Sequence, residues 1–342
     1  MSRVLEVLRS RAVKAGFLVV ALALAVWAVV SQWDEVSAAL VSMDPLLLAA
    51  ALALGLVYVV LTMLSWRAVL ADHGTPLPMS SAAPVFLVSQ LGKYVPGGVW
   101  NIVAAAEMGA DHRIPRRRSV SAMLVTLLIS MVTGLMLAAI SMPFSPPALA
   151  DRFGWVLVLL PLFVIVLLPP VLGRIVAVAL RVTKGEPLER PLRWRGIGAA
   201  VGWQLLAWIV AGLQVWVLAV GVGMEADARS VLLCIGGYGF AWVVGFLVVV
   251  VPAGAGVRES ILAIMLGASL STGGVLAVVL LSRVVLTLAD LLLGGLGLLL
   301  SRRARAAREA ATVRPTDPTG PTGPTGTTGS TGPTGPTGAD AR

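Results

Sequence analysis

Charged and amide side chains stand beside two proline–glycine motifs in an otherwise apolar chain. The stretch LGKYVPGGVWN carries Lys93 and Asn101, and the stretch VPAGAGVRES carries Arg258 and Glu259. Arg can hold a phosphate through two parallel hydrogen bonds, whereas Lys acts on it as a point charge. A helix that begins after such a motif adds a positive potential at its N-terminus. The two motifs therefore predict a site for an anion such as a phosphate.

The composition is that of a membrane protein. Hydrophobic residues make up 58% of the chain, charged residues only 13%, and the mean hydropathy is +0.92. Several apolar runs reach about 20 residues, the length at which a helix crosses a hydrocarbon core. Runs such as FLVVALALAVWAVV lack the polar stripe of a soluble helix, and no period-two alternation indicates a barrel. We therefore predict an all-α polytopic membrane protein.

The basic charge balance reports orientation rather than a nucleic-acid partner. The formal net charge is +9, but the basic residues lie in short loops and tails, as they do in membrane proteins generally. Cys234 is the one cysteine, and the two histidines, His73 and His112, are far apart in the sequence. We therefore predict no disulfide, no metal site and no cofactor.

Each motif is expected to interrupt a helix. Proline removes a backbone N–H group, and glycine adopts backbone geometries closed to other residues. At membrane depth the freed backbone groups persist only where protein or a water-filled cavity satisfies them, so each break predicts a polar cavity. The residues assigned to the breaks are Pro96, Gly97, Gly98, Pro252, Gly254 and Gly256.

Three further charged residues, Glu107, Arg283 and Asp290, are candidate charge partners or proton carriers. A charge at the membrane centre costs about 2.5–3.5 kcal/mol on insertion scales, so it is expected to face the bundle interior, to pair, or to function. Arg283 and Asp290 share one face of the last apolar run. A structural alternative is that these two neutralise each other, as Arg258 and Glu259 would do.

The surroundings of Lys93 also allow a structural interpretation. Tyr94 and Trp100 follow it closely, and such aromatic residues often mark the membrane interface. If the hairpin that contains it is shallow, Lys93 would extend its charge to the interface rather than bind a ligand.

The apolar runs and loop charges predict a topology. Two irregular segments, about 80–109 and 230–270, contain the motifs. The basic N-terminus, the loops at 111–118 and 174–195 and the basic C-terminal end are expected on the cytoplasmic side of the cell membrane. The first run is interpreted as an uncleaved span rather than a signal peptide. Spans are predicted at about 15–33, 45–66, 119–142, 154–173, 196–221 and 275–300.

The loop assignment makes the first irregular segment a re-entrant hairpin, because both of its ends lie on the cytoplasmic side. The same argument makes the second a hairpin entered from the opposite face, although its first arm is long enough to cross. The order span, span, hairpin, span thus occurs twice, over about 15–142 and 154–300, with opposite orientation. Inverted repeats with broken helices are typical of transporters whose substrate site lies at the repeat interface.

At the two motifs the sequence resembles the lysylphosphatidylglycerol synthase transmembrane-region family of flippase-like integral membrane proteins. LGKYVPGGVWN is similar to its Lys-Tyr-x-Pro-Gly signature, and VPAGAGVRES to its Pro-x-Gly-x-Gly-x-Arg-Glu signature. The resemblance covers roughly 15–300 and implies translocation of lipids with modified headgroups. By analogy, Lys93, Arg258, Glu259 and the residues of the two breaks carry over.

The resemblance leaves the lipid open. Synthase members carry a soluble acyltransferase-like domain after the last span, and no such domain is expected here. The chain divides into a basic N-terminus (1–14), a transmembrane domain (15–300) and a tail (301–342), whose Pro-Thr-Gly repeats are predicted to be disordered. An anionic phospholipid, a glycolipid and a polyprenyl-phosphate sugar are equally open as substrates.

Three functions compete. The leading prediction is a non-enzymatic lipid flippase, driven by a proton gradient or passive, because the chain has no GxxxxGK[ST] phosphate-binding motif for ATP. The second is a membrane transferase that uses Lys93, Glu107, Arg258 and Glu259 on a lipid phosphate, against which the missing DxD cluster counts. The third is a scaffold subunit for a partner glycosyltransferase or lipid synthase.

Overall fold

A computed structural model describes residues 37, 40, 41, 43–95, 99–182, 189–247 and 256–313. This part of the chain is helical and contains no strand, which confirms the predicted all-α class. All contacts discussed below lie in the first of its two units, Met1–Arg302. The α-helices in chain order are α1 Pro45–Asp72, α2 Met79–Gln90, α3 Trp100–Ala110, α4 Arg116–Ser141, α5 Pro147–Phe153, α6 Leu160–Leu167, α7 Pro169–Val182, α8 Trp194–Gly221, α9 Ala228–Leu247, α10 Val257–Leu266 and α11 Thr272–Val313.

Five of the described helical segments are long and apolar enough to cross a membrane, namely Pro45–Asp72, Arg116–Phe144, Trp194–Gly221, Ala228–Leu247 and Thr272–Arg303. Helix α1 shows how local sequence sets such a span. Asp44 caps it by accepting the Leu46 N–H at 2.8 Å, and Pro45 occupies its first turn. Its 28 residues extend about 42 Å, more than the roughly 30 Å of a hydrocarbon core. Four predicted spans are thereby confirmed, and the one at 15–33 lies outside the described residues.

The segment predicted as a span at 154–173 is bent and is not one continuous helix. The chain bends by 80° between Gly154–Leu167 and Pro169–Val182. Leu168 adopts ψ 130°, because the ring of the following proline excludes the helical region for the residue before it. The two helical segments on either side of this bend count as a sixth span only if together they cross the membrane.

The first motif lies between helices too short to cross alone. Helix α2 has 12 residues and α3 has 11, which correspond to about 18 Å and 17 Å. In the second segment α9 has 20 residues, about 30 Å, and so reaches spanning length, whereas α10 has 10 residues, about 15 Å. The inverted orientation of the two halves stays a prediction. Of the break residues, Pro96, Gly97, Gly98, Pro252 and Gly254 lie outside the described residues.

Helix α11 contacts helices from both halves of the chain. A Cβ at Gly55 of α1 would lie 3.4 Å from Leu286 Cδ2, and one at Gly297 would lie 3.1 Å from a side-chain carbon of α2. Ser282 Oγ donates to Gln214 Oε1 of α8 at 3.1 Å. Helix α11 is therefore placed to present its charged residues to both motifs.

Buried polar groups tie the other long helices together. Ser65 Oγ of α1 donates to the Ala200 carbonyl of α8 at 2.9 Å. Trp208 Nε1 of α8 donates to the Ser130 carbonyl and to Thr133 Oγ1 of α4, at 3.1 Å each. Such pairings are expected inside a membrane bundle, where water does not satisfy polar groups.

Candidate functional site

The first motif delivers a lysine and a tyrosine to one carboxylate of α11. Lys93 and Tyr94 lie on the 3-10 turn Leu91–Tyr94, which packs closely on the start of α3. Lys93 Nζ lies 2.6 Å from Asp290 Oδ2, and the Tyr94 hydroxyl donates to the same oxygen at 2.7 Å. The Asp290 side chain is 2% exposed and that of Lys93 is 33% exposed. The ion pair therefore has a buried acid and a partly open base.

The second motif delivers a glutamate to the same helix. Gly256 has φ 83°, a conformation that favours glycine, and it caps α10. Glu259 Oε2 accepts the Gly256 N–H at 2.6 Å, and Glu259 Oε1 pairs with Arg283 of α11. Both side chains of this ion pair are largely buried, at 17% and 14% exposure. Each Glu259 oxygen is thus engaged, one by the helix N-terminus and one by a cation.

Arg258 forms no direct ion pair with a carboxylate within the described residues. Its Nη2 donates to the Tyr238 hydroxyl at 2.8 Å, and its guanidinium carbon lies 4.6 Å from the Tyr238 ring centroid. A guanidinium over an aromatic ring is held by the ring quadrupole, which leaves the positive charge in place. Arg258 is therefore the cation of this region best placed to receive an anion.

The two pairings considered from the sequence are wrong. In the described part of the chain Arg283 does not pair with Asp290, and Arg258 does not pair with Glu259. Arg283 and Asp290 share a face of α11, but seven residues separate their backbones by about 10.5 Å along the axis. Adjacent residues such as Arg258 and Glu259 point in different directions on a helix. Lys93 and Glu259 pair with Asp290 and Arg283 of α11 instead.

The three tyrosines of the chain, Tyr58, Tyr94 and Tyr238, gather around these groups. The rings of Tyr58 and Tyr238 lie 6.4 Å apart in edge-to-face contact. Arg258 and Asp290 both lie within electrostatic range of these two tyrosines, which places the two motifs beside one aromatic centre. Tyr58 and Tyr238 were not predicted as site residues. The small number of tyrosines in the chain is the one sequence feature that could have indicated them. The interface interpretation of Tyr94 is wrong, because its side chain is buried at 6% exposure.

Asn101 and Glu107 occupy different parts of α3. Asn101 is half-buried, and its backbone N would lie 2.7 Å from a Cβ placed on Gly92, which brings it beside the turn of Lys93. Glu107 accepts two hydrogen bonds from Arg116, from Nε at 2.7 Å and from Nη2 at 2.9 Å. Glu107 is therefore a charge partner of the basic end of α4.

A separate polar cluster joins the end of α1, the start of α4 and the segment before α8. Glu189 accepts from Arg118 Nε at 2.5 Å, and Arg118 also donates to Thr75 Oγ1 at 2.9 Å. The hydrogen bond from Arg118 lowers the pKa of Glu189. Burial lowers the pKa of His73, whose Nδ1 lies 2.8 Å from the Val69 carbonyl oxygen. Neither here nor elsewhere among the described residues do three His, Cys, Asp or Glu side chains form a group that could hold a metal.

Comparison with known proteins gives the family. Residues 14–294 match the family described as the lysylphosphatidylglycerol synthase TM region, and the matched range contains both motifs together with Arg283 and Asp290 of α11. A search of curated individual proteins gave no match. The matched family is one of integral membrane proteins linked to lipid metabolism or transport. Because the match covers most of the chain, this multi-pass membrane protein belongs to the lysylphosphatidylglycerol synthase TM region family.

Proposed function

We propose that this protein moves lipids with an anionic headgroup between the leaflets of the cell membrane and binds the headgroup phosphate at Arg258. The observation that carries the proposal is the way in which the charged residues of the second motif are paired. Glu259 uses one oxygen for Gly256 and the other for Arg283, so Arg258 has no carboxylate partner among the described residues. A partly buried cation without a carboxylate partner is costly at membrane depth. Charged residues that persist there usually mark a functional site.

The geometry of Arg258 suits a phosphate. Guanidinium carries five N–H donors in a planar fork, and Tyr238 receives one of them. The remaining donors allow a bidentate contact with phosphate oxygens. Tyr238 fixes the plane of the fork, so less conformational freedom is lost when an anion binds.

Lys93 supplies a second contact from the other motif. Its ammonium has three donors, one of which is directed at Asp290, and about a third of the side chain is exposed. The Asn101 backbone lies beside the same turn, and its side-chain oxygen accepts the Ile102 N–H at 3.0 Å, which leaves the side-chain NH₂ group as a donor for the polar part of a headgroup. A phosphate between the motifs would thus meet two cations of different geometry.

The chemistry shared by the candidate substrates is a phosphate on a lipid. An anionic phospholipid and a polyprenyl-phosphate sugar both present it, and a glycolipid with a phosphate does so too. A glycosyltransferase or lipid synthase in the same membrane would supply such a lipid. The orientation that we propose places both termini in the cytoplasm, as the basic loops predict.

Reconstituted vesicles test the proposal. We would place the protein in phosphatidylcholine vesicles with a minor fraction of fluorescent phosphatidylglycerol and follow leaflet exchange by quenching from outside. Arg258→Met keeps the length and removes the charge, and its loss of two charge-assisted hydrogen bonds predicts about 100- to 10,000-fold slower exchange. Arg195→Met, at an exposed arginine of α8, is the matched control and should exchange at the wild-type rate.

The outcomes separate the functions. Equal exchange by the Arg258→Met and Arg195→Met proteins would refute the phosphate role of Arg258. The rate of leaflet exchange should fall more in Arg258→Lys than in Lys93→Arg. Only the first substitution replaces a planar guanidinium, which can bind phosphate through two hydrogen bonds, by an ammonium group. Chemical change of the lipid, detected by mass spectrometry, would support the transferase, and neither exchange nor change would support the scaffold.

A further inference from the structure

The carboxylate of Asp290 is used asymmetrically. Lys93 Nζ and the Tyr94 hydroxyl both bind Oδ2, at 2.6 Å and 2.7 Å. Oδ1 is buried and meets no donor within the described residues. A buried acceptor oxygen without a donor loses its hydration without a compensating hydrogen bond. The side chain as a whole is 98% buried, since its exposure is 2%.

A proton can be placed on Oδ1 without breaking either contact to Oδ2. The protonated acid keeps Oδ2 as its carbonyl oxygen, which still accepts from Lys93 and Tyr94. It also removes the negative charge that Oδ1 shares in a buried environment. From this geometry we infer that Asp290 is a proton-binding site whose proton is coupled to the binding of a lipid phosphate at Lys93, an inference that rests on the proposed function.

The coupling has a definite sign. While Asp290 is ionised, its charge holds Lys93 and repels a phosphate that approaches the same ammonium. Protonation leaves Lys93 with an unbalanced charge, so the proton and the phosphate favour each other's binding, and the effect is reciprocal. Phosphate binding should therefore tighten as pH falls, by at most about tenfold per pH unit for one proton.

The other charged and titratable groups near Asp290 do not remove this coupling. Tyr58 from α1 and Tyr238 from α9 act on it at longer range, and both are neutral phenols in the ordinary pH range. Arg283, on the same helix, is neutralised by its ion pair with Glu259. Arg258 is a permanent cation and does not change its charge over this pH range.

The step is an acid–base equilibrium. One proton from water binds Oδ1 as the phosphate binds, and it returns to water when the phosphate leaves. Charge is conserved within the site, because the proton offsets one negative charge of the incoming phosphate. No oxidant, reductant or covalent bond to the lipid is involved.

Infrared difference spectroscopy tests the proton site without any lipid. Wild-type protein in detergent should show a carbonyl band of a buried carboxylic acid that appears as pH is lowered. Asp290→Asn should lose the band, and Asp151→Asn, at an exposed aspartate, should keep it. Lys93→Met should keep the band to higher pH, because the cation that favours the ionised acid is gone. Asp290→Asn leaves the Lys93 cation without its partner, and Lys93→Met removes that cation. The Lys93→Met, Asp290→Asn double variant therefore controls for misfolding of Asp290→Asn alone.

Calorimetry tests the coupling. Titration with dioctanoyl phosphatidylglycerol, in buffers of different ionisation enthalpy, counts the protons taken up for each lipid bound. Wild type should take up about one proton through part of the pH range, and Asp290→Asn should take up none and bind at all pH values as wild type does at low pH.

The two readouts distinguish the failures. A missing band in wild type, or an identical band in Asp290→Asn, overturns the proton site whatever the lipid does. A band at Asp290 with lipid binding that takes up no proton overturns the coupling. A band at Asp290 with no binding of the probe lipid also overturns the coupling to phosphatidylglycerol, and it counts against the proposed function rather than against the proton site.

Discussion

Removal of Arg283 should be rescued by neutralising Glu259, and this distinguishes the observed ion pairs from the pairs that the sequence favoured. Arg283→Met leaves the Glu259 carboxylate with only the Gly256 N–H as a partner. Glu259→Gln then removes the orphaned charge while its amide oxygen still accepts from Gly256. The Arg283→Met, Glu259→Gln double variant should therefore be more stable than Arg283→Met alone.

The burial of the pair sets the magnitude. Its side chains are 14% and 17% exposed, so solvent screens them only weakly. Removing one partner of a buried pair costs about 3–5 kcal/mol, and removing both is often close to neutral. The exposed fraction favours the lower end, and we expect a coupling energy of about 2–3 kcal/mol in the double-mutant cycle.

The assay is unfolding in detergent micelles, by heat and by added denaturing detergent, for the wild type, both single variants and the double variant. A parallel cycle with Arg258→Met in place of Arg283→Met is the control. Arg258 does not pair with Glu259, so its coupling should stay below about 1 kcal/mol. If Glu259→Gln rescues Arg258→Met more than Arg283→Met, the ion pairs described here are incorrect.

Three other perturbations have expected outcomes. In Gly212→Ala the new Cβ would lie 2.8 Å from the Ile235 backbone N, so overpacking should lower stability by about 1–3 kcal/mol in micelle unfolding, whereas Gly198→Ala, with open space, should not. Because burial lowers the pKa of His73 in the folded state, its contribution to stability is present above about pH 6.5 and is lost as pH falls below it, so a pH series of unfolding midpoints should be flatter for His73→Gln. Tyr94→Phe removes a hydrogen bond to a buried carboxylate of α11 and should cost about 1.5–3 kcal/mol in the same unfolding assay.

The sequence locates the charged residues of the two motifs, but it does not predict what they contact. Lys93 and Glu259 are found from the local contrast between a charge and its apolar surroundings, which is visible at one position. Their partners on α11 depend on the depth and rotation of a distant helix, as the separation of 196 residues between Tyr94 and Asp290 shows. Sharing a helical face places Arg283 and Asp290 in one direction but does not bring them within reach of each other.

Aromatic residues show the same limit. A tyrosine beside a lysine in a membrane chain is often interfacial, and the sequence offers no means to tell Tyr94 from that common case. Its hydroxyl is buried because Asp290 accepts from it, so a residue on another helix decides its position. The bend before Pro169 was, by contrast, readable from the sequence, since proline restricts the preceding residue wherever it occurs.

The opposite charges of Arg283 and Asp290 in α11 also bear on how the chain enters the membrane. Among the described spans α11 comes last in the chain, so the segments that carry Lys93 and Glu259 are made before it. Arg283 and Asp290 would each oppose insertion of an isolated helix by about 2.5–3.5 kcal/mol, against which its apolar residues must work. Ion pairing with segments already in place removes that opposition, and the lateral release of α11 into lipid is then favoured by the helices that precede it. We expect α11 fused alone to a reporter to insert less completely than α11 in the full chain, with Arg283→Leu closing part of the difference.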